Sequence, residues 1–210
     1  MRLSRTFFLL AALCCLHVLP ASARSHDDDD DHEAIRQSFA RVGLLTARMC
    51  QTGPLPEGTS RLSAIHVSVD AMDDTRLILP SGFLFSFQAG IGSRGWVNDD
   101  NYLQATQLMA AMRPGLSLRL HENRLRLDLM TGVYLSYDLW GTQSYEGSSV
   151  PLRKVDGYNR FDFGLNFGAS FVIWKFEIYT ELRQGICDVY KNLDAKQTSM
   201  AWCIGIGWNF

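Results

Sequence analysis

The sequence predicts an all-β protein, an eight-stranded antiparallel up-and-down transmembrane β-barrel. Three observations carry that expectation: the alternation of the closing segment, the same alternation in segments upstream, and the lack after residue 23 of any apolar run of the roughly 20 residues a spanning helix needs. In the closing segment Met200, Trp202, Ile204, Ile206, Trp208 and Phe210 occupy every second position, with Ala201, Cys203, Gly205, Gly207 and Asn209 between them. Successive side chains of a strand point to opposite faces, so one face is aromatic and aliphatic and the other is small. A bilayer accommodates the first face and water does not.

Ahead of the barrel, Arg2 and Arg5 precede the apolar run Phe7 to Leu19, and Ala21-Ser22-Ala23 supplies a small-x-small cleavage pattern, so residues 1–23 read as a signal peptide. Residues 24–33 form an acidic leader, in which His26 to Glu33 carries six acids. Loss of Arg2 and Arg5 would take the formal charge from −2 to −4, yet the barrel domain, 34–210, holds 17 basic and 16 acidic residues and is nearly neutral. No basic stripe offers itself to nucleic acid.

The elements follow in order. Ala34 to Arg48 reads as a first strand and Gln51 to Ser60, with Gly53, Pro54, Pro56 and Gly58, as a loop. Arg61 to Met72 alternates Ile65, Val67 and Val69 against His66, Ser68 and Asp70, and Asp73-Asp74 marks a turn. The third strand places Leu77, Leu79, Phe83, Phe85, Phe87, Ala89 and Ile91 on one face, before a loop from Ser93 to Asp100. Tyr102 to Met112 is a fourth strand closed by Arg113-Pro114-Gly115, although Leu108 to Met112 also suits a helix. In the fifth strand Leu125, Leu127, Leu129, Val133, Leu135, Tyr137 and Leu139 oppose Arg124, Arg126, Asp128, Gly132, Ser136 and Asp138, a period of two that no helix would show. Gly141 to Asn159 is the longest connection. Phe161, Phe163, Leu165, Phe167, Ala169, Phe171 and Ile173 then oppose Arg160, Asp162, Gly164, Asn166, Gly168 and Ser170. Trp174-Lys175 is a tight turn, after which Phe176, Ile178 and Leu182 oppose Glu177, Tyr179, Glu181 and Arg183. Cys187 to Gln197 is a polar loop before the closing strand.

A soluble barrel would turn its apolar residues inward. Here the polar faces are rich in glycine, which weakens a water-facing strand but fits a narrow lumen whose walls nearly touch. Those faces also carry both signs of charge. Arg126, Asp128, Arg160, Asp162, Glu177, Glu181 and Arg183 are expected to pair across the lumen and plug it, because unpaired confined charges would be costly.

Asn101-Tyr102-Leu103-Gln104, the run Leu127 to Tyr137, Phe161-Asp162-Phe163-Gly164 followed by Gly168-Ala169, and the closing Gly205 to Phe210 together resemble the PorT-like outer-membrane β-barrel domain of Bacteroidetes. The resemblance spans roughly 34–210. After Tyr102-Leu103 it departs from the family, which tends to show an acidic residue, an aliphatic and a proline where this chain has Gln104-Ala105-Thr106. Membership implies the barrel architecture and the cell outer membrane. Outer-membrane lipid and the barrel-assembly machinery are the partners implied, with envelope proteins, a secretion apparatus among them, as further candidates.

Candidate chemistry is sparse. The His26 to His32 run lacks the glycine and spaced ligands of a calcium loop, and no Cys/His spacing resembles a zinc site, so no metal and no cofactor are expected. No Gly-x-Ser-x-Gly elbow is present, and His66 beside Asp70 fits internal polar packing better than a general base. No catalytic residue is assigned. Cys50, Cys187 and Cys203 are an odd set, with Cys203 expected opposite Glu181, away from Cys187. Tyr145, Tyr158 and the Gly/Ser-rich loop around them are a candidate binding surface. An accessory, partner-binding barrel is the first functional expectation. A small transporter or pore comes second, and a membrane-embedded enzyme third.

Gly205, Trp208 and Phe210 also match a barrel-assembly signal. Deleting Phe210 is expected to reduce insertion far more than deleting several leader aspartates, measured as the heat-modifiable fraction in membranes. Equal losses from the two deletions would contradict it.

Overall fold

Strand pairing alone defines the architecture. The computed structural model describes residues 34–53, 63–98, 101–121, 125–145, 147–191 and 195–210. The expected signal peptide, the acidic leader and Arg124 lie outside the described residues. Nine strands are present among these: β1 (Ile35–Thr52), β2 (His66–Ile78), β3 (Phe83–Asn98), β4 (Asn101–His121), β5 (Leu125–Tyr145), β6 (Ser148–Pro151), β7 (Phe161–Ile173), β8 (Phe176–Gly185) and β9 (Lys196–Asn209). They pair antiparallel in the order β4-β3-β2-β1-β9-β8-β7-β5, and β4 pairs with β5. That last pairing closes an eight-stranded barrel. The short β6 only extends the end of β5 as a hairpin, with Thr142 opposite Pro151 and Tyr145 opposite Ser148.

First and last strands seal the wall over a long register, from Phe39 opposite Asn209 to Thr52 opposite Lys196. Gly43 faces Gly205 across this seam. A Cβ on Gly43 would stand 2.4 Å from the Cys203 sulfur and 2.5 Å from the Tyr179 hydroxyl, and one on Gly207 would stand 2.6 Å from a Glu177 oxygen. The seam glycines are therefore gaps into which lumenal side chains fold.

The closing strand is exposed at Trp202, Ile204, Ile206, Trp208 and Phe210, while Cys203 is buried. The same outward belt holds Val42, Leu44, Val67, Val69, Phe83, Phe85, Phe87, Leu108, Met112, Leu129, Leu135, Leu165, Phe167 and Ile178. Aromatic rows bound it. Tyr137 pairs with Phe161 toward one rim; Phe176 packs edge-on against Trp208, ring centroids 4.4 Å apart, at the other, beside Trp174 and Phe210. An apolar band flanked by aromatic girdles is the outer surface of an outer-membrane barrel.

Four expected boundaries move. Asp73-Asp74 is no turn: both lie inside β2, opposite Ala40 and Phe39, and the reversal comes at Leu79–Gly82, where Gly82 has a φ of +83°. Adjacent acids suggested a turn because one of them, Asp73, takes the outward position and interrupts the alternation. Arg113-Pro114-Gly115 is likewise strand, since β4 runs on to His121 and Pro114 pairs with Phe85. Lacking an N–H, Pro114 sits where the β4–β5 ladder passes from Met112 opposite Val133 to Gly115 opposite Met130. Leu108 to Met112 is strand, not helix. Ser93 to Asn98 extends β3 instead of forming a loop, and Gly141 to Tyr145 extends β5. At 21 residues each, β4 and β5 are about twice as long as a tilted spanning strand requires, so they project beyond the belt.

Trp174-Lys175 is a two-residue turn, and Cys203 does face Glu181. Cys50, Cys187 and Cys203 are all free thiols.

Leu129 lies outward near the middle of the belt. Leu129→Ala should lose only lipid contact, whereas Leu129→Arg should cost about 2–4 kcal/mol at the midplane. Unfolding titrations in liposomes would measure the difference; a larger loss from alanine would reverse the inside–outside assignment.

Candidate functional site: the lumenal ion-pair network

Inward positions on the spanning strands are where charge collects. Six arginines (Arg41, Arg76, Arg94, Arg113, Arg126, Arg183) and seven carboxylates (Asp70, Asp74, Asp128, Asp138, Asp162, Glu177, Glu181) are buried inside the barrel. Closure brings residues distant in sequence within reach, and they assemble around two acidic hubs.

Asp74 is the first hub. Its Oδ2 faces three guanidiniums: it accepts from Arg76 Nη2 at 2.9 Å and Arg113 Nη2 at 3.0 Å and forms an ion pair with Arg41 Nη1 at 2.9 Å, while Oδ1 accepts from Ser86 Oγ at 2.5 Å. Glu177 sits beside it. Arg41 grips Glu177 with two parallel bonds, Nε to Oε2 at 2.8 Å and Nη2 to Oε1 at 2.5 Å, and Arg76 also bonds Glu177. Paired forks of this kind are the geometry that arginine provides and lysine cannot. Arg76 then reaches Asp128 at 2.5 Å, and Arg126 grips Asp128 with Nε at 2.7 Å and Nη2 at 2.9 Å.

Glu181 is the second hub. It accepts from Arg113 Nη1 at 2.7 Å, Arg183 Nε at 2.6 Å, Asn166 Nδ2 at 2.9 Å and Gln88 Nε2 at 3.2 Å. Arg183 passes on to Asp70 at 2.5 Å. Arginine faces lie on aromatic rings: Arg41 is 4.3 Å from the Tyr179 centroid, and Arg76 is 4.6 Å from that of Phe39.

A smaller cluster closes the outer end, the end away from the chain termini. Arg94 pairs with Asp138 and donates to the Tyr158 hydroxyl at 2.9 Å and the Asn159 carbonyl at 2.7 Å. Tyr158 in turn donates to Asp138 at 2.5 Å. Burial, with Asp138 alongside, pushes the Tyr158 phenol well above its usual value, so it remains a donor. The β5–β7 connection is thereby drawn inward, and Tyr158 meets Tyr190 of the β8–β9 connection edge-on at 5.7 Å. Leu103, Ala105 and Leu152 with Trp96, Val155, Tyr158 and Tyr190 form a small apolar core at this end.

Of the charges expected from sequence, Arg126, Asp128, Glu177, Glu181 and Arg183 meet in the main network. Asp162 is inward but stands apart, accepting from Tyr134 at 3.0 Å and from Ser199, with Arg94 at 3.9 Å. Arg160 is a correction. It precedes the first residue of β7, and its guanidinium turns back along the rim to the carbonyls of Asp138, at 2.6 Å, and Leu139, at 2.7 Å, over the outward Tyr137 ring at 4.8 Å. At its level the interior is taken by Arg94, Asp138 and Tyr158.

Sequence reasoning missed Arg41, Asp74, Arg76, Arg94 and Arg113. Carrying the two-residue period of β2 through Asp70, Asp74 and Arg76 would have found two of them. Tyr158, expected on a binding surface, is turned into the outer core, whereas Tyr145 is 60% exposed. Among the described residues no group of three or more His, Cys, Asp or Glu is placed to hold a metal ion. Gly205, Trp208 and Phe210 stand at the seam and the rim near the chain termini, with the Phe210 N–H on the Ser38 carbonyl at 3.2 Å.

The fold and the filled lumen define a class, the small closed barrel with a polar, packed interior. No protein-family model matches the chain, and no curated protein matches it. Similar solved structures include Neisserial surface protein A, at 10% identity over 82% of this chain and 97% of that one, TM-score 0.49. The attachment invasion locus protein Ail of Yersinia pestis is 16% identical over 83% and 98%, TM-score 0.45. The outer membrane protein OprG of Pseudomonas aeruginosa is 12% identical over 87% and 99%, TM-score 0.45.

Asp74 neutralises three guanidiniums that have no water to turn to. Asp74→Ala is expected to cost about 3–5 kcal/mol, the penalty for stranding buried charge. Asp162→Ala, with hydroxyls as its nearest partners, should cost less. Chemical unfolding in detergent would rank them, and the reverse order would refute the hub assignment.

Proposed function

We propose that this chain is an integral protein of the cell outer membrane with a structural or accessory role, engaging envelope proteins through its outer connections or periplasmic turns. The observation that carries the reading is the lumen. Two acidic hubs, six arginines and a capped outer end occupy the space that a solute would have to cross, which argues against a transporter or pore. The missing nucleophile–base constellation in the sequence argues against a membrane-embedded enzyme. What remains available for recognition is the projecting β4–β5–β6 end, where Tyr145 and the whole of Ser148–Pro151 are exposed. The motif resemblance at 127–137 and 161–169 supports placing the chain among PorT-like barrels, and so supports a secretion-associated partner.

Crosslinking and pull-down from native membranes tests this directly. A reproducible envelope partner, lost when Tyr145 to Val150 is replaced by a short glycine turn, is the expected result. In planar bilayers the purified barrel should show no steady conductance. Steady conductance with no partner recovered would overturn the proposal in favour of a pore.

A further inference from the structure

On the lipid-facing wall, two cross-strand rows of outward side chains leave a depression of about 510 Å³. One row runs Leu116, Leu129, Ala169, Thr180; the next runs Thr131, Phe167, Leu182, Trp202. Ala169, Thr131 and Thr180 are the small members, so the wall dips between Leu129, Phe167 and Trp202. The indole N–H of Trp202 and the hydroxyl of Thr180 are already engaged. Trp202 Nε1 donates to Thr180 Oγ1 at 2.7 Å, and Thr180 Oγ1 donates to the Cys203 carbonyl at 3.3 Å. A ligand that needed hydrogen bonds would find few here, whereas an alkyl chain needs none.

Position selects the occupant. The depression lies inside the apolar belt, where the surrounding medium is acyl chain. Thr180 is five residues along β8 from Lys175, roughly 17 Å at 3.3–3.4 Å per residue, so with strand tilt it sits near half the belt height. Lys175 is exposed at the foot of the same hairpin, its Nζ 5.9 Å from the Trp174 ring centroid, at the level of the aromatic girdle where phosphate headgroups sit.

Resting on the outer-membrane reading above, we propose that this depression is a lipid site: it seats one acyl chain of an anionic periplasmic-leaflet phospholipid whose phosphate pairs with Lys175. A snug trough removes more apolar surface from lipid-packing defects than a convex wall does, and the rim cation adds preference for negative headgroups. The site holds a chain by shape and selects its headgroup by charge.

Trp202 reports occupancy. The experiment places the full barrel in phospholipid vesicles containing a minority of lipid brominated at mid-chain, and takes the Trp202 signal as the difference between wild type and Trp202→Phe. With brominated phosphatidylglycerol, Trp202 should be quenched beyond what the lipid mole fraction predicts. Phosphatidylcholine carrying the same chains should show a smaller excess. Lys175→Gln should abolish the difference between the two headgroups, and Ala169→Leu, which fills the trough, should abolish the excess itself. Thr131→Leu serves the same purpose from the opposite wall if Ala169→Leu does not fold, with heat-modifiable migration as the check. Quenching in proportion to mole fraction for both lipids overturns the proposal, as does an excess indifferent to Lys175 or confined to a brominated outer-leaflet glycolipid. A chain that stays folded but never inserts into vesicles fails the membrane reading itself, and the lipid site falls with it.

Discussion

Charge neutralisation in a sealed lumen is the constraint on which the rest of the structure depends. An arginine or aspartate inside a closed eight-stranded wall has no bulk water to turn to, and leaving one unpaired costs several kcal/mol. Each charge must therefore find a partner, two residues along its own strand as Arg126 finds Asp128 or from a distant strand as Arg41 finds Glu177, and the second kind ties the network to closure and register. Shifting one strand by a single residue would send its arginine or carboxylate into lipid and its leucine into the network. The ion pairs thus penalise wrong registers heavily, and the seam between β1 and β9 is set partly by Arg41 reaching Glu177.

Arginine supplies every cation of that network. Its planar fork can bond two carboxylates at once while its faces rest on aromatic rings, as Arg41 does with Asp74, Glu177 and Tyr179. A lysine would bring a point charge and a heavier hydration penalty. Glycine completes the arrangement from the wall side, because the hubs are bulky and the lumen of an eight-stranded barrel is narrow. At Gly207 the room vacated by a missing Cβ is taken by Glu177.

The two ends of the barrel are built differently. Toward the chain termini the reversals at Leu79–Gly82 and Trp174-Lys175 are tight, and aromatic side chains gather at the rim. At the opposite end β3, β4 and β5 run past the belt, and the β5–β7 and β8–β9 connections fold over the mouth. They are held there by Arg94, Asp138 and Tyr158 and by an apolar core of their own.

The sequence by itself determined the barrel, its strand number and its two faces, because lipid outside and packed side chains inside impose a period of two that is legible wherever it is unbroken. That is why 125–137, 161–173 and 200–210 were read correctly down to the individual side chain, and why Arg126, Asp128, Glu177, Glu181 and Arg183 were placed inward. Local turn chemistry misled where it competed with that period. Asp73-Asp74 and Arg113-Pro114-Gly115 look like reversals in isolation, yet each lies within a strand paired to its neighbours, and cross-strand pairing outweighs short-range preference. Only the tertiary structure decided that Asp74 and Glu181 are the hubs, and that Arg41 on β1 meets Glu177 on β8. Sequence assigns a side chain to a face; which charges touch depends on the shear of the closed barrel, and shear is a property of all eight strands together.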